Sequence, residues 1–201
     1  LMTLRVGVKD GLLVSLIAAL AMAIVGAVTL GEPVRLGLVG VGIWLPVVGL
    51  AAALRHWRSL PLAVELAVLA GFGLVLVQYL PGEDPALFWA EVMRQLLGQV
   101  AGEGSLEQAQ LDEVITALAP WMVGGLGAVW ALQLALTLFL ARSWQAVLYN
   151  PGGFREEFRA LRLGRWLGVL MPLLLIGGVL TERPGLPAQL SLVGMAAFLL
   201  Q

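Results

Sequence analysis

The chain has 201 residues, of which 60% are hydrophobic and 12% charged, and its mean hydropathy is +0.92. A water-soluble domain carries roughly a quarter charged residues, so this composition lacks the polar surface a soluble fold needs and defines an integral membrane protein. With no cysteine and a single histidine, His56, it excludes disulfides, thiolate nucleophiles and cysteine-based or multi-histidine metal sites.

A spanning helix needs about 20 mostly apolar residues. Residues 1–8 read as the tail of an earlier span. The first complete span is expected at 11–30, uncharged and bracketed by Lys9, Asp10 and Glu32. The second, 36–54, carries Pro46, which lacks an N–H and should kink it. The third, 60–80, has Pro61 in its first turn, where the missing N–H costs nothing, and ends at Pro81-Gly82.

Residues 83–119 differ, because their apolar positions recur at helical spacing instead of running continuously. Leu87, Trp89, Met93, Leu96, Leu97 and Val100 define one amphipathic segment. Gly102-Glu103-Gly104 breaks it, and Ser105 with Gln108 matches a capping box opening a second. Together they read as an extracytoplasmic amphipathic helical hairpin. A fourth span is expected at 120–140, a basic loop at 141–165, a short fifth span at 166–180 and a sixth at 186–201. No strand alternation occurs. The expected fold is an all-α polytopic transmembrane bundle of about six spans in a single membrane domain. It reads as an interior portion of a longer protein, since the chain begins at Leu1 instead of an initiator Met and ends at Gln201 inside an apolar run.

Charge fixes an expected orientation. Arg5, Lys9, Arg55, Arg58, Arg142, Arg155, Arg159, Arg162 and Arg165 fall in loops on one side, nine of the twelve basic residues. Arg35, Arg94 and Arg183 fall on the other. Positive charge is retained in the cytoplasm, so the basic loops are expected there, with the acidic hairpin outside.

Few residues suggest chemistry. Glu65 lies inside the third span, where a carboxylate costs a few kcal/mol unless paired or hydrated. It is a ligand or proton site, a salt-bridge partner, or a side chain snorkelling toward Arg58 or His56. Gln133, central in the fourth span, either contacts a polar solute or bonds another helix. Trp44, close to Pro46, either lines a cavity or packs in the core. Gln78 lies near the outer interface and is expected to be solvated. Ala19, Ala23 and Ala27 form a ladder for helix packing or for docking of another membrane subunit. Phe154, Phe158 and Leu161 share one face of an interfacial helix expected over 154–165. Arg155, Arg159 and Arg162 flank that face for contact with anionic lipid or a partner. There is no phosphate-binding loop and no zinc-protease motif, and the glycines at 37–42 lie in a span. No catalytic residue, metal, cofactor or nucleic-acid partner is expected, and the protein does not read as an enzyme.

The block Tyr149-Asn150-Pro151-Gly152-Gly153-Phe154-Arg155-Glu156-Glu157-Phe158 resembles the YybS-like predicted bacterial membrane proteins, as does the start Met2-Thr3-Leu4-Arg5-Val6-Gly7 followed by Asp10-Gly11-Leu12. The resemblance implies a bacterial inner-membrane protein distantly similar to the substrate-binding subunits of energy-coupling-factor transporters. Those subunits bind a small solute from outside and dock on a membrane partner. It carries over no ligand residue. The leading functional expectation is a small-solute-binding or transport-related membrane subunit. The alternative is a non-enzymatic scaffold or regulator that recruits a partner through the basic loop or the hairpin.

Overall fold

The computed structural model describes residues 2–101, 108–180 and 185–200. Among them every regular element is an α-helix and there is no strand. Four helices among the described residues are long and apolar enough to cross a membrane. The chain divides into two compact units, Leu1–Ala67 with Gln133–Leu163, and Val68–Leu132 with Gly164–Gln201.

The first unit opens with the single turn α1 (Met2–Arg5), followed by α2 (Val8–Thr29) and α3 (Pro33–Trp57). Small residues set the α2–α3 contact. A Cβ on Gly40 would lie 3.0 Å from the Ala19 Cα, and one on Gly37 would lie 3.2 Å from the Ala23 Cβ. Numbers rise along one helix as they fall along the other, so the pair is antiparallel. Ala19 and Ala23 are thus used in packing within the chain, whereas Ala27 is exposed. The opposite face of α2 carries exposed Leu13, Ile17, Leu20 and Ile24, the surface a lipid-facing helix needs. α3 continues through Pro46.

α4 (Leu60–Val77) and α6 (Gln108–Tyr149) each contribute to both units. The second unit adds α5 (Pro85–Ala101), α8 (Arg165–Val179) and α9 (Leu186–Phe198), and the first unit adds the short α7 (Gly153–Arg159). In the second unit, glycines let α4, α6 and α9 approach closely. A Cβ on Gly71 would lie 2.8 Å from Ala131, the Gly127 carbonyl and Val193, and one on Gly124 would lie 2.5 Å from the Gln189 carbonyl.

Two expectations change. The segment after Gln108 does not end before a separate span at Pro120. It is one helix of 42 residues with Pro120 inside it. Ile115 and Ala119 are buried against Ala90 of α5, with Trp89, Met93, Leu97 and Leu111 packed around them. That packing holds helical geometry where the proline removes one N–H. The proposed break at Gly102–Gly104, the capping residue Ser105, and Arg183 lie outside the described residues. α8 and α9, where the short fifth span and the sixth are expected, have 15 and 13 residues. Second, the interfacial helix expected over 154–165 stops at Arg159. The chain leaves helical geometry at Ala160 and buries Leu161.

The glycine contacts make a direct prediction. Gly124→Ala places its methyl against the backbone of Gln189 and should destabilise the protein by about 1–3 kcal/mol. Gly42→Ala, with open space around its Cβ, should leave stability unchanged or slightly raised. Unfolding midpoints of the two variants in the same detergent check the contrast.

Candidate functional site

The site forms where α4 ends. Beyond Val77 the helical bonds tighten to i→i−3, with the N–H groups of Gln78, Tyr79 and Leu80 donating to the carbonyls of Val75, Leu76 and Val77. Gly82 follows at φ +82, a conformation that favours glycine. Asp84 then starts α5: its Oδ1 accepts the Ala86 N–H at 2.9 Å, and Pro85 occupies the first helical position. This turn delivers Gln78, Tyr79, Glu83 and Asp84 to one end of the second unit.

Two amides tie the turn to its neighbours. Gln78 Nε2 donates to the carbonyls of Leu74 and Val123, both at 3.2 Å, and its Oε1 accepts the Trp89 indole N–H at 2.9 Å. The Tyr79 hydroxyl donates to Gln189 Oε1 at 2.6 Å, and Gln189 Nε2 donates to the Pro120 carbonyl at 3.1 Å. Gln189 is 2% exposed. A buried amide needs its hydrogen bonds satisfied, and the turn and α6 supply these two. Burial, reinforced by the charge of Asp84, pushes the Tyr79 phenol above its ordinary value of 10.0, so it remains a donor at neutral pH.

Beside this network is a cleft of about 850 Å³, within the range of small-molecule sites. Its wall combines Glu83 and Asp84 from the turn, Leu87, Ala90 and Arg94 from α5, Thr116 and Trp121 from α6, and Tyr79 and Gln189. Arg94 is at an exposed position and pairs with Glu91 and Asp112, each at 3.5 Å. Such exposed pairs contribute little stability. Among the described residues no group of three metal-ligating side chains converges.

The residues singled out for solute binding are elsewhere. Glu65 is half-buried on α4, Gln133 is exposed on α6, and Trp44 is 40% exposed on α3. None of the three lines this cleft. Gln78, expected to be solvated, is instead bonded three ways. Tyr79 and Gln189 escaped notice, although Gln189 stands out as an amide inside the apolar run beginning at Leu186. In the first unit, Phe154 and Phe158 pack on Phe139 with ring centroids 6.3 and 5.4 Å apart, so their shared face is used at least partly within the chain. Arg155, Arg159 and Arg162 are exposed.

Fold and site together define an all-helical protein, with helices suited to a membrane and a mostly apolar cleft bearing a few polar groups at the end of one helical unit. No family model, curated protein or solved structure matches the chain.

Gln189→Leu strands the Tyr79 hydroxyl and the Pro120 carbonyl and should lower stability by about 1–3 kcal/mol. Tyr79 and Tyr149 are the two tyrosines of the chain. In a Tyr149→Phe background, the phenolate absorbance should therefore titrate with a midpoint above that of a free tyrosine. Asp84→Asn in that background should shift the midpoint downward, because it removes the negative charge that opposes ionisation.

Proposed function

We propose that the cleft of the second unit receives a small solute and that the chain is a solute-binding or transport-related membrane subunit. The supporting observation is the combination of a site-sized cleft with polar groups held by a satisfied buried network (Tyr79, Gln189, Gln78). Sites that bind small molecules are preformed in this way, with a few fixed polar groups in a mostly apolar wall. Glu83 and Asp84 favour a solute bearing a cationic nitrogen, and Tyr79 and Trp121 favour a flat or apolar body. The kinship proposed from the Asn150–Phe158 block agrees with a solute-binding role in a bacterial inner membrane.

The proposed orientation puts the basic loops in the cytoplasm and the cleft outside. It rests on the charge asymmetry and on the alternation of the four long helices. The absence of native cysteine makes it directly testable. A cysteine introduced at Glu83 should react with a membrane-impermeant maleimide in intact cells, and one at Arg159 should react only after permeabilisation. The reverse pattern refutes the orientation.

For binding, the purified protein is screened by thermal shift against nitrogen-containing cationic solutes. A hit should be weakened about tenfold or more by Asp84→Asn or Trp121→Ala and left unchanged by Gln133→Ala or Trp44→Ala. A screen without any stabilising solute, or a hit sensitive to Trp44 and Gln133 instead, counts against this cleft.

A further inference from the structure

A second cavity, of about 470 Å³, lies in the first unit. Its polar wall is made by Arg55, Arg58, Arg142, Gln145 and Glu157. Three guanidinium groups confront one carboxylate, which leaves the cavity with an excess of two positive charges. We propose that this cavity is a binding site for a phosphate group.

The arginines are held differently. Arg142 is anchored: its Nε donates to Glu157 Oε2 at 2.9 Å, a second nitrogen donates to Glu157 Oε1, and a third donates to Gln145 Oε1 at 2.9 Å. One Arg55 nitrogen donates to the Thr3 carbonyl at 3.2 Å, which fixes the group and leaves its remaining donors for an anion. Arg58 has no hydrogen-bonded side-chain partner among the described residues. It occupies the C-cap of α3 at φ 52, ψ 30, the left-handed region that favours glycine. A strongly charged residue therefore sits at the cavity where a glycine would be conformationally easier.

Guanidinium groups recognise phosphate by paired, charge-assisted hydrogen bonds. Glu157 meets Arg142 with the same two-pronged geometry, so it marks where an anion binds and competes for that position. Depth also favours phosphate. Trp57 is adjacent to Arg58, and Trp144 lies on the α6 segment that carries Arg142 and Gln145; both indoles are largely exposed. Exposed tryptophans at helix ends mark the headgroup level of a bilayer. The phosphate can come from a lipid headgroup or from solution. The site is separate from the solute cleft proposed above.

The test uses the full chain. Delipidated protein in neutral detergent is titrated with inorganic phosphate against chloride at matched ionic strength, with the unfolding midpoint as readout. The midpoint should rise. Arg58→Gln should weaken the phosphate response about tenfold or more, and Glu157→Gln should strengthen it by releasing Arg142. The titration is repeated in nanodiscs of phosphatidylglycerol. Loss of the phosphate response there identifies the lipid as the source, and its persistence identifies free phosphate; either outcome supports the site. The absence of a phosphate response in detergent, an Arg58→Gln variant that responds like the parent, or a folded Glu157→Gln variant that responds more weakly overturns the proposal.

Discussion

The second unit depends on the satisfaction of one buried amide. Gln189 is enclosed where α9 meets α6, at a contact so close that Gly124 could not carry a methyl group. Water cannot serve both ends of the amide there, so the chain must. Tyr79 reaches it from the end of α4, and the carbonyl of Pro120 meets it from inside α6. The close glycine contact and the hydrogen bonds require each other. Without the glycines the amide could not reach Pro120, and without its partners the amide would oppose the packing it sits in.

The same interaction explains how a chain this apolar keeps polar groups at the wall of a cleft. Most of its polar groups are at helix ends or in turns, where water is available. Two amides are instead tied to backbone carbonyls. Gln78 uses the carbonyls of Leu74 and Val123, and Gln189 uses that of Pro120. Side-chain amides are thereby spent on joining helices, and the ionisable groups, Glu83, Asp84 and Arg94, are left around the opening.

The helical class and the main apolar helices were legible from residues alone, because continuous apolar runs and a depleted charge content have few other physical outcomes. The ladder of Ala19 and Ala23 was also readable as packing, although its partners Gly37 and Gly40 were not identified. What could not be read was which distant residues meet. Pro120 looked like a helix start because proline is comfortable there. Contacts of Ile115 and Ala119 with α5 decided otherwise. Glu65, Gln133 and Trp44 drew attention as polar or aromatic residues at depth. Depth within a run carries no information about which side chains converge, however, and the cleft is built at the run's end, by a turn. Gln78 and Gln189 are far apart in sequence, and nothing local reveals that both amides serve one corner of the fold.

α6 has a consequence of its own. Its 42 residues have a contour of about 63 Å, twice the hydrocarbon thickness of a bilayer. If α6 crosses along the bilayer normal, about half of its length extends beyond the apolar layer. It carries wall residues of one cavity, Thr116 and Trp121, in its first third and wall residues of the other, Arg142 and Gln145, in its last. Pro120 lies beside the first pair, and because it has no N–H it leaves the Thr116 carbonyl, at the wall of the cleft, without its helical donor.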